Sequence, residues 1–120
     1  MKVLIKAFKA LSDETRLRIL NLLMERECCV CEVMQVLKIS QSRASRNLSA
    51  LYNAGFLKLR REGLWVVYSI DKEGLKDYYV DLVDTVSEAL KGNEIASNDL
   101  ARLRNAQRVG PGCVISPGHK

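Results

Sequence analysis

The feature that most constrains the fold is a change in hydrophobic spacing at Gly55. Before it, apolar residues recur at helical spacing over residues 40–54, and Gly55 itself is a stop signal for a helix. After it, residues 56–60 and 64–70 are rich in β-branched and aromatic side chains, and a turn centred on Gly63 separates them. This pattern predicts a β-hairpin that follows directly on a helix.

The remaining pattern is helical. Apolar spacing predicts a first helix over residues 2–11 and a long last helix over residues 75–90. A second helix begins at Ser12 or Asp13 and is apolar nearly all round, which predicts a central position in the core. A short third helix covers residues 29–37. The fold class is therefore mainly α with one β-hairpin.

The order of these elements matches a winged helix-turn-helix. Residues 29–37 and 40–54 would be its two motif helices, and the hairpin would be its wing. We expect one domain over residues 1–91 for DNA binding and dimerisation. Residues 92–120 are less patterned and end in a Gly- and Pro-rich stretch, which predicts a flexible C-terminal extension that carries Cys113.

Positive charge is concentrated on the proposed reading helix and wing. The formal net charge is +5 and the pI is about 9.2. The window from Lys38 to Arg61 contains six basic residues and no acidic one, so the rest of the chain has a net charge of −1. Cations focused in this way are what neutralisation of DNA phosphates requires.

The residue types divide by chemistry. Arg43, Arg46 and Asn47 lie at i, i+3 and i+4 on one helix face, where Arg suits guanine edges and Asn suits adenine edges. Hydroxyl side chains and the helix N-terminus suit phosphate, and the hairpin tip would reach the backbone or the minor groove. The expected DNA-contacting residues are Ser40, Gln41, Ser42, Arg43, Ser45, Arg46, Asn47, Ser49, Arg60 and Arg61.

Three cysteines, Cys28, Cys29 and Cys31, fall in four consecutive positions. No secretory signal or membrane-length apolar run is visible, so we expect a cytoplasmic protein with no membrane partner, whose thiols are kept reduced. One cysteine would be explained as buried apolar filler. Three together next to a reading helix favour metal, metalloid or redox chemistry.

Four segments carry a family resemblance: "SDETRLRILNLL", "CVCEV", "SQSRASRNLSALYNAGFL" and "RREGLWVVYSI". Together they resemble the ArsR/SmtB family of metal-sensing repressors over about residues 3–90. The resemblance implies a homodimer that binds a palindromic DNA operator and leaves it when an inducer binds. It also implies dimerisation through the first and last helices, with Val3, Leu4, Phe8, Tyr78, Tyr79, Leu82, Val83 and Val86 as the expected interface.

The Cys-Val-Cys segment resembles the arsenic and antimony sensors of that family, and also its cadmium and lead sensors. The arsenic pattern C-V-C-D-L-C matches Cys29 and Cys31 but falls on Met34 at its third cysteine. Since As(III) prefers three thiolates, the third ligand would be Cys28 or Cys113, with proximity slightly favouring Cys28. The expected inducer is As(III), with Sb(III) possible.

Other functions stay open at this stage. A Cd-, Pb- or Zn-responsive repressor, or a thiol-redox or persulfide switch, would have the same fold. The family's last-helix zinc site pairs Asp with His, and no His accompanies Asp81, Asp84 and Glu88. A thiol oxidoreductase or arsenate reductase is disfavoured, because no βαβ pattern or acid/base partner adjoins the cysteines, so we expect no enzyme. A protein-interaction module using the last helix, without DNA binding, is the remaining rival.

Overall fold

The computed structural model describes residues 1–108. Within them, the fold has six helices and a three-stranded antiparallel sheet of strand order β1-β3-β2. The elements are α1 (Lys2–Leu11), α2 (Glu14–Glu25), β1 (Cys28–Cys29), α3 (Val30–Leu37), α4 (Gln41–Asn53), β2 (Leu57–Glu62), β3 (Trp65–Ile70), α5 (Asp77–Leu90) and α6 (Glu94–Leu103). None of these helices has the length and apolarity that a membrane crossing demands. The predicted winged helix-turn-helix is confirmed.

Short polar side chains fix where the two central helices begin. The Asp13 carboxylate accepts the backbone N–H of Arg16 at 3.1 Å, which caps α2. Ser40 Oγ accepts the backbone N–H of Arg43 at 3.2 Å, which caps α4. Each bond satisfies one of the amide groups that the first turn of a helix leaves unpaired, and such caps stabilise a helix by about 1 kcal/mol.

Gly55 turns the chain from α4 into the wing. Its φ of +98° favours glycine, and a Cβ at this position would lie 3.2 Å from the Tyr79 ring. The Tyr79 hydroxyl donates to Ala54 O at 2.5 Å, and its ring packs on Phe56 with centroids 4.7 Å apart. The turn is therefore held by α5, which fixes the wing relative to the reading helix.

The core is built around α2, as its nearly all-round apolar character predicts. Ile19, Leu20 and Leu22 of α2 are fully buried. Leu103 of α6 lies in the same core cluster. The part of the C-terminal extension that the structure describes thus packs on α2 and α3 rather than leaving the domain.

The two-residue strand β1 corrects one expectation. The third helix, predicted over residues 29–37, begins at Val30 instead, because Cys28 and Cys29 form a strand paired antiparallel with Tyr68 and Val67 of β3. Because successive strand side chains point to opposite faces, Cys28 and Cys29 face opposite sides of the sheet.

The expected dimer interface also needs correction. Tyr79, Val83 and Val86 are buried in the protomer's own core, because α5 lays this face against α2 and the end of α4. Five other apolar side chains of α1 and α5 remain accessible and line a groove of about 580 Å³ together with Met1 and Asp81: Val3, Leu4, Phe8, Tyr78 and Leu82.

Candidate nucleic-acid interface and thiol site

The helix α4 presents a polar face to solvent. Ala44, Leu48 and Leu51 bury its opposite face in the core. The predicted contact residues Ser40, Gln41, Ser42, Arg43, Arg46 and Ser49 are exposed, whereas Ser45 and Asn47 are half-buried. The exposed set lies where a duplex could reach it.

Two of the predicted base-reading side chains already have protein partners. Arg43 Nη2 donates to Thr15 Oγ1 at 3.0 Å. Asn47 Oδ1 accepts from Arg16 Nη1 at 3.1 Å, and its Nδ2 donates to Arg43 O at 2.9 Å. The Arg46 side chain makes no hydrogen bond or ion pair with any residue of the described chain. Arg46 is therefore the reading-helix arginine whose donors are all available.

The two wing arginines, Arg60 and Arg61, also differ in whether their side chains have protein partners. Arg60 binds both carboxylate oxygens of Glu27 at 2.6 and 2.7 Å, and it binds Glu62 at 2.6 Å. Hydrogen bonding to Arg60 lowers the pKa of Glu27 and of Glu62, and the two carboxylates raise the pKa of Arg60. Arg61 points to the opposite face of the strand and has no such partner among residues 1–108.

Cys29 and Cys31 form a buried pair whose Sγ atoms lie 2.9 Å apart, and neither residue is exposed. Residues two apart point about 200° away from each other on a regular helix. Here Cys29 is the N-cap of α3, with extended φ and ψ of −94° and 171°, and the helix begins at Val30. The irregular start of α3 is what brings the two sulfur atoms together.

Cys28 does not join this pair. Its side chain lies in the main core, where Sγ donates to Arg26 O at 3.6 Å. Burial, reinforced by the charge of Glu32, raises the pKa of this free thiol to about 12. Cys113 lies outside the described residues. Among residues 1–108, no group of three His, Cys, Asp or Glu side chains could hold a metal ion.

Glu32, in the first turn of α3, stabilises the start of that helix with its own side chain. Its Oε1 accepts the backbone N–H of Cys29 at 2.8 Å, and its Oε2 accepts from Arg26 Nη1 at 2.8 Å. Arg26 Nη2 also donates to Leu103 O and Ala106 O at 3.1 and 3.3 Å. Sequence reasoning overlooked Glu32, although its position three residues after the N-cap has capping-box spacing.

The chain after α6 covers the Cys29–Cys31 pair. Gln107 O lies 4.0 Å from Cys31 Sγ, and the Gln107 backbone exchanges two hydrogen bonds with the Gln35 side chain, at 2.5 and 3.0 Å. Trp65 packs against the pair, and the Arg108 guanidinium lies 5.5 Å from the centre of its ring. Arg108 also forms a close ion pair with Glu62 of the wing.

Comparison with known proteins places this architecture among bacterial regulators. The family model described as "Bacterial regulatory protein, arsR family" matches residues 13–59. A cadmium resistance transcriptional regulatory protein of Staphylococcus aureus is 47% identical over 59% of this chain and 60% of its own length. An arsenic resistance transcriptional regulator of Pseudomonas putida is 40% identical over 82% of this chain and 84% of its own length. The chain spans 60% and 52% of the first two curated relatives it matches.

Solved structures agree with the fold. The reduced HlyU protein of Vibrio cholerae superposes with a TM-score of 0.63 at 26% identity, covering 73% of this chain and 88% of that one. A homodimeric winged helix-turn-helix domain of Mycobacterium bovis superposes with a TM-score of 0.64 at 28% identity, covering 78% of this chain and 82% of that one.

Proposed function

Because this chain belongs to the arsR family of bacterial regulatory proteins, we propose that it is a dimeric, cytoplasmic transcriptional repressor that leaves its DNA operator when trivalent arsenic binds. The observation that carries the proposal is the sulfur pair of Cys29 and Cys31, 2.9 Å apart, at the start of the helix that precedes the reading helix. The same chain thus holds a soft-ligand site and a DNA-facing surface within two adjacent helices.

DNA binding rests on the exposed face of α4. Arg46 would read a base edge in the major groove, while Ser42, Ser49 and the capped N-terminus of the helix bind phosphates. Arg61 would contact the backbone from the wing. Arg60 reaches DNA only after leaving Glu27 and Glu62, so its contribution would depend on the state of that ion-pair cluster.

Dimerisation rests on the apolar groove between α1 and α5. Phe8 is 51% exposed and Tyr78 39% exposed, and such exposed aromatic side chains in one groove mark a protein contact surface. A second copy of this chain is the occupant we propose, which places two reading helices on one palindromic operator. The homodimeric domain of the Mycobacterium bovis relative supports this arrangement.

The inducer site needs a third thiolate, because As(III) takes three. Cys28 is a poor candidate, since its side chain faces the main core on the other side of the sheet. Cys113 is the candidate that we propose instead. Gln107 already lies against Cys31, and the five residues that follow Arg108 and end with Cys113 can span up to about 18 Å when extended. The chain therefore has the reach to bring Cys113 to the pair.

Release of DNA would follow from closing this site. A third thiolate would draw the segment after α6 tightly over the start of α3. That segment is bound to α3 through Gln107 and Gln35, and to the wing through Arg108 and Glu62. Since packed elements transmit displacement rather than absorb it, we propose that ligation shifts α3, and with it the reading helix α4.

The test is a titration of a protein–DNA complex. A fluorescently labelled duplex, selected from a random-sequence pool by the wild-type protein, is followed by anisotropy while As(III), Sb(III), Cd(II), Zn(II) or peroxide is added in parallel. Release at the lowest concentration by As(III) or Sb(III) is the expected result. Release by Cd(II) alone would replace the arsenic assignment by a cadmium response, which the identity to the Staphylococcus aureus regulator favours as the second candidate.

Cysteine variants locate the site. We expect Cys29→Ser, Cys31→Ser and Cys113→Ser each to keep duplex binding and to lose the response to As(III). Cys28→Ser is the matched control and should respond like the wild-type protein. A full As(III) response in the Cys113→Ser variant would exclude it as the third ligand, and no duplex binding by the wild-type protein would refute the repressor itself.

A further inference from the structure

The first helix carries a basic face that the DNA interface described so far does not include. Lys2, Lys6 and Lys9 lie at i, i+4 and i+7, which places them on one side of α1. All three are exposed, and none forms an ion pair with a carboxylate in the described chain. The helix contains no acidic residue. These three charges are therefore not neutralised by any carboxylate in the part of the chain that the structure describes.

This face opens into a cleft between α1 and the reading helix. The cleft has a volume of about 440 Å³, and Lys6, Lys9 and Arg16 supply its basic side. Its other wall comes from the C-terminal half of α4, where Ala50 and Asn53 have small, uncharged side chains. Within residues 1–108, no acidic side chain lines it. A cleft lined by one sign of charge focuses the field and attracts ions of the opposite sign.

The cleft continues the surface that faces DNA. Asn53 follows Arg46 by seven residues, or about two turns, so the two side chains share one face of α4. Ala50, four residues after Arg46, lies between them on the same side. A duplex seated on Arg46 would therefore run beside the cleft, with its phosphates facing the lysines of α1.

Arg16 fixes α1 rigidly to the reading helix. Its guanidinium donates to Ala10 O at 2.6 Å and to Lys9 O at 3.1 Å, which caps the end of α1. Its third hydrogen bond goes to Asn47 Oδ1 of α4 at 3.1 Å. The lysines are thus held at a constant distance from the reading face. They also point away from the side of α1 that carries Leu4 and Phe8, so a dimer through that apolar side leaves them accessible.

We propose that the Lys6–Lys9 face of α1 is a second contact surface for the DNA backbone, beside the segment that α4 reads. This inference rests on the proposed DNA-binding function. Phosphate contacts of this kind add affinity and position the duplex, but they carry no sequence information. The lysines should therefore increase affinity for every duplex by a similar factor.

The experiment compares the salt dependence of duplex binding in three proteins. They are the wild type, Lys6→Gln/Lys9→Gln, and the charge-matched control Lys72→Gln/Lys91→Gln, whose lysines border a different cleft between α2, α5 and α6. The duplex is the one selected by the wild-type protein, with a random duplex as second substrate. Circular dichroism and sedimentation verify that all three proteins are folded and have the same oligomeric state.

The association constant K decreases with salt, so the slope of log K against log salt is negative. Its magnitude decreases by about 0.9 for each DNA phosphate that the protein no longer neutralises. We expect the magnitude of this slope to be smaller by up to about 1.8 in the Lys6/Lys9 variant than in the wild type. This variant should also bind both duplexes more weakly by a similar factor, while the control variant changes little. Equal slopes in the two variants would overturn the inference, because the effect would then be one of net charge alone. If the wild-type protein bound neither duplex, the proposed function would fail and this inference with it.

Discussion

Glu32 connects the start of α3 to Arg26, and Arg26 in turn binds the chain at the end of α6. Removal of the Glu32 side chain therefore tests the description of the thiol site most directly. Its side chain is only 5% exposed and makes two hydrogen bonds, one to the Cys29 backbone N–H and one to Arg26, both at 2.8 Å. We compare Glu32→Ala, which removes both hydrogen bonds, with Glu32→Gln, which keeps an acceptor for the N–H and removes the negative charge.

The magnitude follows from these two hydrogen bonds. Removal of a cap at a helix start costs about 0.5–2 kcal/mol. Removal of a hydrogen bond to a charged partner costs about 1.5–3 kcal/mol. Because the Arg26 side chain is 38% exposed, water can solvate it after the change, so the second cost lies at the low end of its range. Glu32→Ala should therefore lower the free energy of unfolding by about 2–3 kcal/mol, and Glu32→Gln by about 1 kcal/mol.

The assay is urea denaturation followed by circular dichroism, at fixed protein concentration and with a reductant. Glu25→Ala is the control, since Glu25 is an exposed residue at the end of α2 with no partner in the described chain; it should lie within about 0.5 kcal/mol of the wild type. A Glu32→Ala variant as stable as this control would refute the reasoning. So would a Glu32→Gln variant that is destabilised as much as the alanine variant.

Three further predictions concern the other surfaces. Arg46→Ala should weaken operator binding by about 1–3 kcal/mol in a salt-controlled anisotropy titration, and unchanged affinity would remove Arg46 from the reading face. Phe8→Asp should shift the proposed dimer to monomers in sedimentation equilibrium, because it places a charge in the apolar groove; a dimer of unchanged affinity would exclude that groove as the interface. Arg60 and Arg108 lower the pKa of Glu62 below its ordinary 4.5, so its ion pairs stabilise the fold at neutral pH and this contribution disappears as the pH falls through the lowered pKa. The stability difference between the wild type and Glu62→Gln should accordingly shrink below pH 4.5, and a difference independent of pH would contradict the ion-pair assignment.

The sequence predicts the elements of this fold well, because each long element has its own period. The helical stripe of α4 and the turn at Gly63 are both found where the pattern places them. The strand β1 could not be predicted in this way, since two residues are too few to show an alternation of apolar and polar side chains. This short strand places Cys28 and Cys29 on opposite faces of the sheet. The sequence could therefore indicate a cysteine cluster but could not separate Cys28 from the pair of Cys29 and Cys31.

The sequence also could not predict which side chains are occupied by partners far away in the chain. Residue type and spacing make Asn47 a plausible adenine reader, yet its amide is engaged by Arg16, 31 residues earlier in the chain. Arg60 has the chemistry of a phosphate contact, yet it lies against Glu27, 33 residues away. The segment after α6 covers the thiols through Gln107 and Gln35, 72 residues apart. Local pattern carries no information about such pairs, because they are set by how the elements pack.

One detail of the Cys29–Cys31 site concerns the residue type at the N-cap of α3. Cys29 occupies the N-cap of α3 with Glu32 at the reciprocal capping position, a place where serine is a preferred residue. Serine and cysteine differ there by a single atom, oxygen or sulfur. A protein with serine at this position would keep a well-capped α3 and an intact winged helix-turn-helix while lacking one ligand of the proposed inducer site. Under the proposed function, the exchange of serine for cysteine at this one position would add an inducer ligand at little cost in the free energy of unfolding.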